Sequence, residues 1–462
     1  MKNIYLSYFR LFFFWTKQLV LQRLEGLHWY SAKPIIDGGL WSSKDSNLTK
    51  LEYQFSRNTQ SRTRSFSFAR QVHQLWFQAE KIEVEGDFYT ALKLKQEILE
   101  TSWEKYGLKL GKFVPPFIES DWLHAFGHQA NLGFFSLAQQ FGFVHPERRT
   151  ILDLGHADLN RPILKKILTN FNIWQSEGAA NILEHPDLFC LTEKMTILST
   201  TDGFRHFNEI MDKVLLSIKT QGFNPNFELD EEIVVKAREQ LSILGLPSDA
   251  WFVGLHVRQD SRMRERDSDI SSYIEAIKFI TSKGGWVIRI GDSRQKPLPY
   301  LPNVINLITE SKVMARLHDY VLTNCRFFMG NISGPVMFPL LFGVPTLISN
   351  VVAIGKNTWR GVRPTISIPK VWVDLKSKRE LSILESLELG LGFVELSTSK
   401  NGNFKTRENS SEEILLATEE LYSYLESRQI SLSTTQNSLN IYRKKIGAVS
   451  FGLFAESFLI DH

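Results

Sequence analysis

Two short stretches of the chain carry residue types suited to holding an anion. His256 and Arg258 follow the apolar run Trp251 to Leu255, and the turn Asn331, Ile332, Ser333, Gly334, Pro335 follows the run Cys325 to Gly330. Arginine presents a planar fork of donors that matches phosphate oxygens. In the second stretch a hydroxyl at Ser333 and a residue without Cβ at Gly334 stand before a helix that Pro335 is preformed to open. The first N–H groups of such a helix lack partners and favour an anion, and Gly334 lets a phosphate come close to the backbone. Asn331 is a further polar candidate. If both apolar runs are parallel strands, these groups share the carboxyl edge of one sheet, where open α/β folds bind ligands.

The elements that must position them alternate. Trp251 to Leu255 is too short for a helix and reads as a strand buried on both faces. A helix from Ser272 to Ser282 follows, its start marked by the Ser272/Glu275 capping-box spacing, and then a strand from Gly284 to Asp292. Asn303 to Ile308, a helix over Lys312 to Thr323 and the strand Cys325 to Gly330 make a further unit. The apolar helix Met337 to Gly343 leads to another buried strand, Pro345 to Ser349. This succession predicts a doubly wound parallel sheet.

A second, less regular α/β pattern lies upstream. Trp122 to Phe126 leads into Gly127 and His128, then a helix through Asn131 to Phe141, a strand from Thr150 to Gly155 and a helix entered through Asn160, Arg161 and Pro162. Leu188 to Leu191 and Met195 to Leu198 complete a smaller sheet. A helix from Asp230 to Leu244 bridges the two patterns. Before them, Phe68 to Glu85 and Asp87 to Tyr106 have helical spacing on either side of Gly86. Ala79, Gly86, Phe88 and Ala91 make this pair similar to one tetratricopeptide unit, but a lone unit cannot bury its own face, so a helical hairpin packed on the next domain is expected. Beyond Asn350, a helix capped by Ser410 and Glu413 runs to Ser427, and the apolar end from Gly447 to Ile460 is expected to dock on the body. The expected organisation is 1–110 helical, 111–244 first α/β domain, 245–385 second α/β domain and 386–462 helices packing back.

Composition narrows the function. The 54 basic and 50 acidic residues leave a formal charge of only +4, which argues against nucleic acid as a partner. Two cysteines, Cys190 and Cys325, suit a reducing compartment, the cytoplasm, and exclude a disulfide scaffold. Residues 5–24 are aromatic but interrupted by Arg10, Lys17 and Arg23, so they do not form a membrane span of roughly 18 apolar residues. An amphipathic helix explains them, packed on its own domain or in peripheral contact with the inner face of a membrane.

Several other groups invite chemistry. Asp267, Ser268 and Asp269 imitate a metal-binding DxD, but they stand just before a helix, where acidic residues are favoured by the dipole, so no metal is assigned. The basic residues Arg262, Arg264 and Arg266 either face the donor or an anionic acceptor or, as the ordinary explanation, belong to a solvated loop. Gly355 to Thr358 lacks the glycine spacing of a P-loop. For a general base, His128, Asp153 and His156 fall near strand ends or a helix start of the first domain.

In combination AWFVGLHVR, SSYIEAIKFI with GGWVIRIGD after it, and NCRFFMGNISGP followed by FGVPT resemble bacterial glycosyltransferases of surface-polysaccharide clusters. These are distant relatives of the fucosyltransferases that share an HxR motif. The resemblance implies the GT-B fold, two Rossmann-like domains facing across a cleft, here with an N-terminal helical extension. It implies a nucleoside diphosphate sugar as donor on the second domain, a glycan or lipid-linked glycan acceptor on the first, and no cofactor. His256 and Arg258 match the HxR pair, with Arg258 on the donor diphosphate, and Ser333 and Gly334 match the turn that seats the same phosphates. Gln259, Asp260 and Ser261 depart from HxRRTD, so the second arginine is missing and GDP-fucose is disfavoured. A nucleotide-sugar epimerase of the same architecture and a scaffold using the helical hairpin are the alternatives.

Overall fold

The computed structural model describes residues 62–461 apart from 85–86, 106–113, 154–157, 176–190, 224, 226, 260–263, 309–311, 353, 355–360, 392–401, 428–432 and 446–452. Residues 5–24, Gly86, His156, Cys190, Asp260, Ser261, Arg262 and Gly355 to Thr358 of the sequence reading lie outside the described residues.

Among the described residues the larger sheet has seven strands, all parallel, in the order Leu453–Phe454, Thr365–Pro369, Thr346–Val351, Phe327–Asn331, Phe252–His256, Trp286–Gly291, Val304–Ile308. Phe252–His256 sits inside it and is buried at every position, which is why it reads as an unbroken apolar run. Helix Lys312–Asn324 covers one face, since a side chain at Gly254 would meet Val321 and Cys325. Helices Ile274–Ser282 and Ser411–Ser427 pack against each other, and the latter lies on strands Thr346–Val351 and Thr365–Pro369.

The smaller sheet is parallel too, with four strands in the order Asn172–Gln175, Thr150–Asp153, Phe117–Ile118, Thr192–Glu193. The segment Met195 to Leu198 does not join it. Ile197–Thr200 instead pairs antiparallel with Gly203–His206, because the Thr200 hydroxyl donates to Asp202 at 2.7 Å and to the Gly203 carbonyl at 2.6 Å and turns the chain straight back. The helix expected from Asn131 begins earlier, at Phe126, and ends at Gln140.

The helical hairpin, Arg62–Val84 and Phe88–Lys105, packs on this antiparallel pair. Lys95 pairs with Glu83 and donates to the Thr196 hydroxyl at 2.8 Å, His206 Nε2 lies 3.1 Å from Glu83, and Gln96 donates to the Phe204 carbonyl at 2.8 Å. At the other end, the segment expected to supply only helices also supplies strands. Phe404–Arg407 pairs antiparallel with Val371–Asp374, and Leu453–Phe454 extends the large sheet before helix Glu456–Asp461.

One apolar core runs through both parallel units, including Phe135 and Ile151 of the first and Leu255, Val321 and Leu341 of the second. The units meet where helix Phe126–Gln140 crosses residues Gly334 to Phe342. The rings of Phe126 and Phe338 are 4.3 Å apart. A Cβ added at Gly127 would stand 2.7 Å from Gly334 Cα, and one added at Gly334 would stand 2.8 Å from Gly127 N. Neither backbone can yield as a side chain can. Gly334→Ala is therefore expected to destabilise by about 1–3 kcal/mol, the ordinary cost of overpacking, read as a lower urea midpoint with an unchanged slope. A midpoint equal to wild type would mean that this crossing is looser than the geometry indicates.

Candidate functional site

The carboxyl edge of the large sheet is assembled around Asn331. This residue is fully buried, and its side chain is engaged on both sides: Oδ1 accepts from Arg258 N at 2.7 Å, while Nδ2 donates to the carbonyls of Arg266 at 2.8 Å and Arg258 at 3.4 Å. The phosphate contact expected of Asn331 is thus replaced by a positioning role. Its amide folds the chain after the Phe252–His256 strand back on itself, and Ser268 N closes the loop on the Arg258 carbonyl at 3.2 Å.

The fold-back brings Arg266 to Arg258. Burial, and next the charge of Arg258, lower the Arg266 guanidinium to about 10. Arg258 Nε lies 3.5 Å from Asp267 Oδ1. The Arg266 guanidinium is thus held where its own charge is disfavoured, and an added anion would favour it. Of the two roles open to the basic cluster, a solvated loop or a face toward the donor, the partial burial of Arg266 favours the second, and its pairing with Arg258 has no counterpart in local spacing. The only signal was the cluster of basic residues itself.

Ser333 is 4% exposed, and its Oγ meets no hydrogen-bond partner among the described residues. It does not cap the helix after it. The structure also revises that helix: Gly334–Val336 is a 3-10 turn, and the α-helix is only Met337–Phe342, six residues. The helix dipole expected at Pro335 is correspondingly small, and the unpartnered hydroxyl is the stronger feature. A buried polar group left unsatisfied costs about 1–3 kcal/mol. Gly334 is explained differently from the sequence reading, since the space its missing side chain leaves is filled by Gly127 rather than open to a phosphate.

His128 arrives from the first unit. It follows Gly127 on helix Phe126–Gln140, is partly exposed, and holds Nδ1 3.1 Å from the Asp121 carbonyl. Its neighbour Gly127 meets Gly334, the residue after Ser333, so these two candidates lie on segments that cross at the junction of the units. Asp153 ends its strand buried within the first unit.

His256 is also buried, and it is neutral: burial, followed by the charge of His318, pushes its imidazole down to about 3. Such a group does not shuttle protons near neutrality. Two carboxyl groups that the sequence reading passed over titrate higher than usual at the edge of the small sheet. Burial raises Glu193 to about 7 against the opposing charge of Arg149, and it also raises Glu119, which accepts from Lys194 at 2.5 Å. Both follow or end strands of two residues, too short to show a period.

Among the described residues no group of three or more His, Cys, Asp or Glu side chains is placed to hold a metal. Asp267 lies beside Arg258. Asp269 caps the next turn, accepting from Ser271 N at 3.0 Å, and pairs with Lys296 at 2.6 Å. The expected Ser272/Glu275 capping box does not form, because a 3-10 turn over Ile270–Tyr273 puts the cap at Asp269.

Two parallel α/β units in sequence, sharing one core, fit the expected GT-B arrangement of two Rossmann-like units. No family model matches the chain, and no curated protein matches it by sequence. Among solved structures it is similar to the glycosyl transferase family 9 protein of Veillonella parvula, at 13% identity over 67% of this chain and 96% of that one, TM-score 0.39. It is similar also to the ADP-heptose lipopolysaccharide heptosyltransferase II of E. coli, at 10% identity over 50% and 83%, TM-score 0.35. A third likeness is the iron-containing dodecameric glycosyltransferase TibC of enterotoxigenic E. coli, at 16% identity over 55% and 63%, TM-score 0.33. Likenesses of this degree concern general shape and say nothing about substrate.

Among the described residues no helix is long and apolar enough to cross a membrane.

Proposed function

We propose that the chain is a glycosyltransferase that binds a nucleoside diphosphate sugar at the carboxyl edge of the large sheet and passes the sugar to a glycan or lipid-linked glycan lying along the first unit. Two observations at this sheet edge carry the reading: the charge of Arg258 reaches the partly buried Arg266 guanidinium, and the Ser333 hydroxyl is buried with no partner among the described residues. Glycosyl transfer releases a nucleoside diphosphate, so negative charge grows on the phosphates as the bond breaks. Donors fixed in advance lower that barrier, by several kcal/mol in a water-excluded site. Arg258 and Arg266 take the phosphate oxygens, and Ser333 with the Gly334 turn closes the seat. The reaction in this proposal needs neither metal nor cofactor. His128, on the helix of the first unit that crosses the Gly334 turn, is our candidate to act on the acceptor hydroxyl. In this reading the enzyme works in the cytoplasm.

A thermal-shift series with GDP, UDP, ADP, dTDP and CMP, each with and without EDTA, tests the reading. A ligand that binds only the folded chain stabilises it by about 2.7 kcal/mol at a hundredfold excess over Kd. One nucleoside diphosphate is expected to raise the melting temperature with EDTA present and to lose that effect in Arg258→Ala. A flat response to all of them would overturn the donor site.

A further inference from the structure

Strand Trp286–Gly291 carries a guanidinium into the interior. Arg289 is fully buried, and among the described residues it meets no carboxylate. Its Nη2 donates to the Lys296 carbonyl at 2.7 Å and to Gln295 Oε1 at 3.3 Å. Arginine offers no acceptor, so the Gln295 amide lies only one way round, with its oxygen to Arg289 and its NH2 directed onward. Onward is His256 Nε2, 3.1 Å from Gln295 Nε2. An imidazole nitrogen facing a donor is the bare one, so the proton of His256 sits on Nδ1. That Nδ1 is buried and has no partner among the described residues. Gly291 completes the arrangement. A Cβ there would stand 2.3 Å from Gln295 Nε2 and 2.4 Å from Oε1, so glycine leaves the space in which the amide lies.

We infer that Arg289, Gln295 and Gly291 are positioning residues that hold His256 as a neutral imidazole, presenting an Nδ1–H donor to an oxygen of the donor diphosphate. The inference rests on the reading of this sheet edge as the donor site. The charged and titratable groups around His256 are His318 from helix Lys312–Asn324, Asp292 and Arg289 from the neighbouring strand and its end, and Arg258 beyond its own strand. Burial outweighs them, so the imidazole stays neutral with the same tautomer from about pH 5 to 8.

The tautomer is read from long-range proton–nitrogen correlation spectra of the ligand-free full chain. Wild type is expected to show a protonated Nδ1 and a bare Nε2 at both ends of that range. Gln295→Glu puts an acceptor between Arg289 and His256 and draws the proton to Nε2, so at about pH 8 the tautomer inverts. In that variant the Kd of the nucleoside diphosphate giving the largest thermal shift, among GDP, UDP, ADP and dTDP, is expected to rise at least tenfold at about pH 8. It recovers as the pH falls, because the carboxylate raises the imidazole pKa and the imidazolium regains its Nδ1–H; wild-type affinity shows no such recovery. Gly291→Ala displaces the amide while keeping all three side chains, and it is expected to give mixed tautomers and weaker binding, which serves if Gln295→Glu does not fold. A wild-type His256 protonated on Nε2 at about pH 8 would overturn the relay. An inverted tautomer with unchanged Kd would overturn the donor role. If none of the four diphosphates binds wild type, the donor-site reading fails and the role toward diphosphate with it, while the spectra still decide whether the relay exists.

Discussion

Arg161→Ala is expected to cost about 3–5 kcal/mol of folding stability, the usual loss when one partner of a buried ion pair is removed. Arg161 opens helix Pro162–Leu168 of the first unit, and its Nη2 binds Oδ1 of Asp319 on helix Lys312–Asn324 of the second. Asp319 is fully buried, and its other oxygen accepts from Ile163 N at 3.3 Å. Burial raises this carboxyl, and the Arg161 charge opposes that rise. The guanidinium also lies over the ring of Phe126, 3.9 Å from its centroid, so alanine removes packing as well as charge. Urea denaturation measures the loss. Arg161→Ala combined with Asp319→Asn should recover part of it, since the amide leaves no stranded charge. A loss below about 1 kcal/mol in the single variant would show that the pair does not clamp the units.

Arg258→Ala together with Arg266→Met is expected to weaken nucleoside diphosphate binding by a hundredfold or more. A hydrogen bond to a charged group is worth about 1.5–3 kcal/mol, so each single change should raise Kd by roughly ten- to a hundredfold. The stability of the ligand-free protein should move the other way. For a base whose pKa is depressed in the folded state, as that of Arg266 is, the fold disfavours the charge. Arg266→Met is therefore expected to leave the urea midpoint unchanged or to raise it while affinity falls, as befits a residue kept for binding rather than for folding. Isothermal titration paired with denaturation separates the two quantities. Loss of stability without loss of affinity would return Arg266 to an ordinary loop residue.

The large sheet was legible because its strands are short unbroken apolar runs with alternating helices between them, and Phe252–His256, Trp286–Gly291, Phe327–Asn331 and Thr346–Val351 fall within two residues of where composition puts them. Strands Phe117–Ile118 and Thr192–Glu193 were not, having no length in which a period can appear. Identical spacing also gave opposite outcomes. Ser410 and Glu413 form a reciprocal capping box, with Ser410 N donating to Glu413 at 2.7 Å and Glu413 N to Ser410 Oγ at 3.1 Å, whereas Ser272 and Glu275 do not. In the second case Asp269 takes the backbone donor first, one turn earlier. At the candidate site, Arg258, His256 and Ser333 could be named from residue type and strand ends. The work of Asn331 and the approach of Arg266 depend on how a loop closes, which no local pattern encodes. The need for glycine at 334 depends on a helix from another part of the chain.

The short strand Leu453–Phe454 has a consequence in time. It pairs with Thr365–Pro369, which lies in the same sheet as Phe252–His256, and so the sheet that begins midway along the chain is completed only by residues synthesised long afterwards. Until Leu453 and Phe454 arrive, the row of amides and carbonyls along Thr365–Pro369 has no neighbour on that side, and an apolar strand edge of this kind recruits other chains. Contacts so distant in sequence form slowly because a long loop must close first. Chains halted between Pro369 and Leu453 are thus expected to aggregate more readily than the full chain, and chaperone binding over that interval is expected to raise the yield of soluble protein.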